Sequence, residues 1–171
     1  MRNYILGVIL LSLSACGSSE TVNIEPTDSV STLSTPAQYL ATDTVRVNDF
    51  KFKIRATGFN KELGTDYNYK TADGVYYIIK LDYTNESYEP RKLYNGQFSL
   101  RDEDGNQYNI SPEGSTALSL DGSKLISVEE CGPKIKKTGW LCFEVPKEQT
   151  YYLSISKEDG YDYLAYIKLR P

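Results

Sequence analysis

Two cysteines in the C-terminal third of the chain are the residues best suited to covalent chemistry. Cys131 and Cys142 are separated by ten residues, and glycines between them allow the chain to turn back. In an oxidising compartment they could form a disulfide, and closing so short a loop would stabilise the fold by about 2–3 kcal/mol. The alternative is two buried thiols, because strand alternation places Cys142 on the face of Trp140 and opposite Leu141. We predict the disulfide and keep the buried thiols as the alternative.

The chain contains no histidine, which removes the commonest general base and metal ligand at neutral pH. Catalysis by Ser-His-Asp or Cys-His groups is therefore excluded, as are zinc sites built from histidine. The 23 Asp and Glu residues leave a glycosidase-like carboxylate pair conceivable. However, none of them lies in an apolar strand setting that would raise its pKa. We predict that the protein is not an enzyme and uses no cofactor or metal.

One acidic segment has the residue types of a calcium loop. Asp102-Glu103-Asp104-Gly105-Asn106 is rich in side-chain oxygens, and Glu113 stands at the twelfth position counted from Asp102. An EF-hand loop has its glycine at the sixth position and is flanked by helices, whereas Gly105 is fourth here and strands are predicted on both sides. We therefore interpret the segment as the acidic turn of a β-hairpin.

Tyrosine is the aromatic residue in excess, with 15 Tyr against 5 Phe and 1 Trp. Four tyrosines are predicted to lie in loops or near strand ends, where a core has little use for them: Tyr67, Tyr69, Tyr88 and Tyr94. Exposed rings on a rigid scaffold can hold a protein partner or stack on sugars. The simpler interpretation is that tyrosine fills half-buried strand positions. These four residues are thus a candidate binding surface with a structural alternative.

The beginning of the chain has the features of an export signal. Arg2 supplies a short positive region, Ile5–Leu13 is an apolar run too short to span a bilayer, and Leu13-Ser14-Ala15 leads into Cys16. This order resembles the lipobox of bacterial lipoproteins, in which the cysteine thiol receives a diacylglyceryl group. The resemblance implies a signal peptide over 1–15, a lipid anchor on Cys16, and an extracytoplasmic location at the cell membrane or outer membrane. The alternative is an ordinary secretory signal with an incidental cysteine.

Residues 16–44 have the composition of a flexible linker. The stretch from Gly17 to Thr44 contains 5 Ser, 6 Thr and 2 Pro, no Lys or Arg, and no sustained period. A coil of this length would hold the following domain roughly 30 Å from the lipid. The alternative is that Tyr39-Leu40 docks on the domain as a first strand fragment.

Residues 45–171 have the pattern of short strands and turns. Phe50–Arg55 alternates between apolar residues and cations, and Val75–Tyr83 places alternate apolar residues from Tyr77 onward on one face. Leu118–Val128 is predicted as a further strand region, and no segment has a sustained helical period. We predict one all-β domain, an antiparallel sandwich of about seven to nine strands.

Four segments of this domain carry a family resemblance: Val45–Phe52, Gly74–Asn85, Phe98–Tyr108 and Gly139–Pro146. In their order and spacing they resemble an immunoglobulin-like module of bacterial lipoproteins, catalogued as domain of unknown function 4352. The resemblance implies an immunoglobulin-like β-sandwich on a lipid tether. It implies no catalytic residues, because the family has no common established activity.

The charge and the organisation of the chain together predict its role. A formal net charge of −4 argues against nucleic acid and against electrostatic binding to anionic lipid, because both need clustered cations. The membrane is therefore expected as a partner only through the lipid anchor. We predict a non-catalytic binding module that contacts another protein of the cell envelope. The alternative is a carbohydrate-binding accessory lipoprotein that uses the loop tyrosines to hold a glycan.

Overall fold

The computed structural model describes residues 37–65, 68–157 and 162–170. The predicted signal peptide, Cys16, the linker up to residue 36 and Tyr67 lie outside this part of the chain. The described elements, in chain order, are β1 (Ala37–Leu40), β2 (Thr44–Val47), β3 (Phe50–Leu63), β4 (Lys70–Asn85), β5 (Arg91–Leu93), a 3-10 turn (Asn95–Gln97), β6 (Phe98–Arg101), β7 (Gln107–Tyr108), α1 (Pro112–Leu120), β8 (Glu129–Cys131), β9 (Lys136–Val145), β10 (Tyr151–Ser156) and β11 (Tyr163–Leu169).

The described strands form two main sheets and one small ribbon. Sheet I has the strand order β1-β11-β10-β6-β7, sheet II has the order β2-β3-β4-β9, and β5 pairs with β8. The named strand pairs are antiparallel except that β1 runs parallel to β11. The predicted all-β sandwich is confirmed. The nine strands of the two sheets match the expected number, and the ribbon adds two short strands.

The core lies between sheets I and II and follows from strand alternation. On β4 the alternate residues Tyr77, Ile79, Leu81 and Tyr83 are each at most 1% exposed. They belong to one apolar cluster with inward residues of sheet I, such as Leu153 on β10. The face predicted for β4 is therefore confirmed, and each fully buried side chain of this size contributes about 1.5–3 kcal/mol to folding.

Several of the tyrosines are core residues. The ring of Tyr77 stacks on Phe59 with 4.2 Å between centroids, and Tyr151 lies 5.7 Å from Tyr77 and 5.8 Å from Tyr108. The buried hydroxyl of Tyr77 donates to the Arg170 carbonyl at 3.2 Å, so its polar end is paired. For these residues the structural interpretation of the tyrosine excess holds.

A short helix lies where the sequence pattern predicts no helix. The prediction of a strand region beginning at Leu118 is wrong there, because Pro112–Leu120 is α-helical. Ser111 caps the helix by accepting a hydrogen bond from the Gly114 amide at 3.2 Å, and Pro112 fits the first turn because its missing amide hydrogen is not needed there. The buried side of the helix packs with Tyr76, Ile78 and Cys142 on the outer face of sheet II.

The predicted disulfide between Cys131 and Cys142 is not formed. Both cysteines are free and buried. Cys131 belongs to the cluster between the sheets, whereas Cys142 belongs to the cluster beneath α1, on the other side of sheet II. The physical reason is the alternation of β9, which turns Cys142 to the outer face with Trp140 while Leu141 points into the core. The alternative of two buried thiols is the observed arrangement.

Strand β1 lies inside the stretch predicted as linker. The alternative in which Tyr39-Leu40 docks as a strand fragment is observed, with Tyr39 paired to Ile167 and Leu40 to Lys168 of β11. Tyr39 is half-buried against the core, and this packing holds β1 at the edge of sheet I. The composition of residues 16–44 favours a linker, and a strand of only four residues leaves little pattern in the sequence.

Candidate binding surface

The candidate loop tyrosines do not form one surface. Tyr69 is 56% exposed and precedes β4, whereas Tyr88 is 89% exposed and follows the end of β4. A strand of 16 residues spans about 50 Å, so these two rings lie far apart. Tyr94 is half-buried beside the 3-10 turn, where its amide donates to Gln97 Oε1 at 3.0 Å. The described members of the predicted set therefore cannot act as a single site.

The outer face of sheet I instead brings a different set of polar and aromatic side chains together. Strand register places them in two rows that cross β1, β11, β10 and β6: Gln38, Tyr166, Ser154 and Ser99 in one row, and Leu40, Lys168, Tyr152 and Arg101 in the other. We call these eight residues the tyrosine–arginine face. Their inward neighbours are core residues, so the sandwich fixes the position of every member.

Cations on the tyrosine–arginine face lie over aromatic rings. The guanidinium carbon of Arg101 is 4.4 Å from the ring centroid of Tyr163 and 5.9 Å from that of Tyr166. The Lys168 ammonium nitrogen is 5.7 Å from the ring centroid of Tyr152. Such cation–π contacts contribute about 0.5–1 kcal/mol at exposed positions. They hold long side chains in place and prepare a rigid, amphipathic surface.

Polar atoms without partners are concentrated on the same face. The described residues contain four buried side-chain polar atoms that lack a hydrogen-bond partner, and three of these are Ser99 Oγ, Ser154 Oγ and Arg101 Nε. Buried polar groups in folded proteins are normally paired, because leaving one unpaired costs about 1–3 kcal/mol. Because these three atoms are themselves shielded from solvent, they belong to the interior beneath the face and not to its accessible surface.

Two adjoining cavities lie along the tyrosine–arginine face. One has a volume of about 190 Å³ and is lined by Gln38, Tyr152, Tyr166, Arg101 and Asp102. The other, also about 190 Å³, shares Gln38 and Tyr152 with the first and continues past Lys168 to Asp43. Together they form a shallow groove across the strands of sheet I. Its lining mixes aromatic rings, an amide, cations and carboxylates, as recognition surfaces do.

Asp102, the first residue of the segment with calcium-loop composition, anchors a hairpin turn at one end of this groove. The turn links β6 and β7, and the Gly105 amide donates to the Asp102 carbonyl at 3.2 Å. The Asp102 carboxylate accepts hydrogen bonds from the Asn106 side chain and the Tyr108 hydroxyl, both at 2.8 Å. These bonds, that of Asn106 first, hold the pKa of Asp102 below its ordinary value. Its carboxylate oxygens are thus engaged in the turn.

The other strongly held acids lie in ion-pair networks outside this groove. Glu129 accepts a hydrogen bond from Tyr83 at 2.5 Å and pairs with Lys124 at 3.1 Å and Lys137 at 3.2 Å. Burial opposes ionisation of Glu129, but these partners outweigh it and lower the pKa of the carboxyl group. Within the described ranges, no three Cys, Asp or Glu side chains are grouped so that they could hold a metal ion.

The tyrosine–arginine face was missed because its residues are far apart in the sequence. Tyr152 and Tyr166 occupy strand positions that alternate with core residues, so a signal for outward-facing tyrosines was present. Their approach to Arg101 and Gln38 depends on the pairing of β10 with β6 and of β11 with β1. Pairings between distant segments are not visible in local alternation.

No helix in the described part of the chain has the length and hydropathy needed to cross a bilayer. No curated protein matches the chain.

Solved structures of bacterial proteins share the fold. The yjhA protein of Bacillus subtilis is 15% identical, with 77% of this chain and 98% of that chain covered at a TM-score of 0.55. The secreted protein MPT63 of Mycobacterium tuberculosis is 15% identical, with 80% and 98% covered at a TM-score of 0.55. The ycdA protein of Bacillus subtilis, a candidate lipoprotein, is 18% identical at a TM-score of 0.55, with 77% of this chain but 38% of that chain covered. At these identities the likeness concerns the fold alone.

The family assignment rests on a match to most of the chain. The model of a family described as a domain of unknown function matches residues 39–163, which include all nine strands from β2 to β10, part of β1 and the start of β11. The resemblance carried by the four sequence segments is thereby confirmed. The protein belongs to the DUF4352 family.

Proposed function

We propose that the protein is a lipid-anchored, extracytoplasmic binding module whose tyrosine–arginine face holds another protein of the cell envelope. The proposal rests mainly on the groove of sheet I, whose lining brings Tyr152 and Tyr166 together with Gln38 and Arg101. A partner's polar groups would pair with the exposed Gln38 side chain and with Lys168, which line the groove. The role is non-catalytic, because binding needs only this fixed surface and the tether.

The anchor is supported by the sequence around Cys16. The short apolar run and the small residues before the cysteine have the order that bacterial lipid modification requires. The secreted and candidate lipoprotein structures that share the fold are compatible with export. Metabolic labelling with a fatty acid should mark the wild-type chain and leave a Cys16→Ser variant unmarked. An unmarked wild-type chain would contradict the anchor.

A protein partner is favoured by the chemistry of the groove. Tyrosine and arginine are enriched among residues that dominate binding energy at protein interfaces. One side of the Tyr152 ring and one side of the Tyr163 ring already face a cation. The rings are therefore arranged as parts of a mixed polar and aromatic surface.

The experiment compares two tyrosine variants of the full chain. Tyr152→Ala removes the aromatic residue shared by both cavities, whereas Tyr88→Ala removes a ring that is 89% exposed and lies off this face. We expect capture of an envelope protein by the wild-type chain, loss of that capture in Tyr152→Ala, and full capture by Tyr88→Ala. Equal capture by both variants would contradict the location of the surface, and the reverse order would assign binding to the loop tyrosines.

A carbohydrate-binding role is the second candidate. It is favoured by the combination of tyrosine rings with Gln38, Asp43 and Arg101 along one groove, since sugars are held by aromatic faces and planar polar groups. A glycan array probed with the wild-type chain and the Tyr152→Ala variant distinguishes the roles. Signals that vanish in the variant support glycan binding, and a blank array removes it.

A further inference from the structure

The outer face of sheet II is divided into a covered half and an open half. Helix α1 covers Ile78, Tyr76 and Cys142 in one half. The open half carries six cations: Arg46, Lys51, Lys53, Arg55, Lys80 and Lys136. Among the described residues, two carboxylates form ion pairs with these cations, Asp82 and Glu86. We call these six residues the cationic face. This concentration of positive charge contrasts with the net charge of −4 of the whole chain.

Strand register packs these cations closely. Arg46 is paired with Lys51, Lys51 with Thr84, and Thr84 with Lys136, so a single row across four strands carries three cations. Lys53 lies two residues along β3 from Lys51 and therefore points to the same side. Neighbouring strands are about 4.8 Å apart and alternate residues of one strand about 7 Å apart. Like charges at such spacing repel one another.

The two carboxylates neutralise only part of this charge. Asp82 pairs with Arg55 at 2.8 Å and with Lys136 at 2.7 Å, and Glu86 pairs with Lys51 at 2.7 Å and Arg46 at 3.5 Å. A β-bulge between Ile54 and Ala56 leaves Arg55 without a strand partner and lets it reach Asp82. Lys53 is exposed and lies opposite Asp82 in the strand register, but among the described residues it forms no ion pair.

A cavity of about 240 Å³ opens between these cations. Lys51, Lys53 and Lys136 line it together with Thr44 and Thr84, and Asp82 lies at its wall. The three lysines and two threonines of this lining carry ammonium and hydroxyl groups, from which a tetrahedral oxyanion accepts hydrogen bonds. Because Asp82 already accepts bonds from Lys136 and from Thr138 at 2.6 Å, its charge is balanced within the site.

We propose that this cavity is a binding site for a phosphate group, carried by inorganic phosphate, a soluble phosphate ester or a lipid headgroup. The bound anion relieves the repulsion between Lys51, Lys53 and Lys136 and therefore stabilises the folded state. The net negative charge of the chain does not oppose this, because the field near the cavity is set by the local excess of cations. The inference does not depend on the proposed function, since it concerns the opposite sheet.

The chain contains its own reporter for this site. Trp140 is its single tryptophan, and Lys80 of the cationic face lies 5.0 Å from the centroid of the Trp140 ring, on the same sheet face as the cavity but outside its lining. Inorganic phosphate should therefore produce a saturable change in tryptophan emission when it replaces chloride at constant ionic strength. Isothermal titration under the same conditions measures the dissociation constant independently of the reporter.

Charge-removing variants test the residues of the cavity. Lys53→Gln changes an exposed side chain without an ion-pair partner and should weaken phosphate binding roughly threefold or more, and Lys51→Gln with Lys53→Gln roughly tenfold. Lys147→Gln is the matched control, since Lys147 is exposed and follows the far end of β9. It should bind phosphate like the wild-type chain.

A second arm separates the sources of the phosphate group. The same emission is followed with vesicles of phosphatidylglycerol and with vesicles of phosphatidylcholine. A Lys53-dependent change with inorganic phosphate alone assigns the site to soluble phosphates, and one that appears only with phosphatidylglycerol vesicles assigns it to a headgroup. The proposal is overturned if neither probe gives a saturable change, or if Lys53→Gln and Lys147→Gln respond alike.

Discussion

Replacement of Asp82 by asparagine is the most informative single change on the cationic face. The Asp82 side chain is 8% exposed and is held by Arg55 at 2.8 Å, Lys136 at 2.7 Å and the Thr138 hydroxyl at 2.6 Å. Asparagine has nearly the same shape and keeps an oxygen for Thr138. The substitution therefore removes the charge with little change in packing.

The expected loss of stability follows from the exposure of the partners. The side chains of Arg55 and Lys136 are 47% and 56% exposed, so both cations regain water when the carboxylate charge is removed. Each partly exposed pair then contributes at most about 1 kcal/mol, well below the 3–5 kcal/mol for breaking a fully buried pair. We expect Asp82→Asn to lower the free energy of unfolding by about 1–2 kcal/mol at pH 7.

The lowered pKa of Asp82 determines how its contribution to stability changes with pH. Burial alone would raise the pKa of Asp82, but hydrogen bonds from Lys136 and Thr138 and the nearby cations outweigh it and hold that pKa below the ordinary value of 3.8. A carboxyl group whose pKa is lowered by folding stabilises the folded state above its unfolded pKa. That contribution is lost as the pH falls below 3.8 through the folded-state pKa.

Urea unfolding of both chains at neutral and acidic pH measures this difference. The gap between wild type and Asp82→Asn should be largest at pH 7 and should close in acid, and the variant should bind phosphate more tightly. Asp104→Asn is the matched control, because Asp104 is exposed and has no ion-pair partner among the described residues. Equal stability at pH 7, or a gap that persists unchanged in acid, would refute the reasoning.

Three further outcomes test the packing of the sandwich. Gly114→Ala should lower the unfolding free energy by about 1–3 kcal/mol despite the better helix propensity of alanine, because its Cβ would lie 2.5 Å from Cys142 Sγ and 2.9 Å from the Tyr76 ring. Adding Cys142→Ala should restore part of this loss in the same urea assay. If the two substitutions change the unfolding free energy independently, the contact is contradicted. The Cys131 and Cys142 thiols should resist a thiol reagent in the folded chain, since burial raises the pKa of both, that of Cys142 to about 12. Both should react after the chain is unfolded without reductant. If neither thiol reacts then, the two cysteines are joined by the disulfide that the sequence predicts. Burial, with a smaller effect of its hydrogen bond to the Asp102 carboxylate, raises the pKa of Tyr108 to about 12. Tyr108→Phe should therefore remove one phenol that ionises late in an absorbance titration at high pH. Loss of a phenol that ionises early would contradict the burial of Tyr108.

Local alternation predicted much of the fold. The inward residues of β4 and the opposite orientations of Trp140 and Leu141 on β9 follow from the period of two, which holds wherever one strand face is buried. The helix α1 was missed although Ser111 and Pro112 form a recognised start signal. Its apolar pattern is weak, because the helix has only one short buried side, and a search for periodicity alone passes over it.

The candidate surfaces depend on information that a single sequence does not carry. Tyr152 meets Arg101 only because β10 pairs with β6, which lies far from it along the chain, whereas Lys168 comes from β11, the strand that follows β10. The cationic face could likewise be predicted only in part from the sequence. The alternation of Lys51 and Lys53 was visible in the sequence, but the addition of Lys136 required the order of sheet II.

Site-specific photocrosslinking in cells tests the central claim, that the tyrosine–arginine face is the binding surface, most directly. A photoreactive residue in place of Tyr152 would lie within the groove, and one in place of Tyr88 would lie off that face. We predict a single discrete adduct with an envelope protein from position 152 and none from position 88. Adducts from position 88 alone, or identical products from both positions, would contradict the claim.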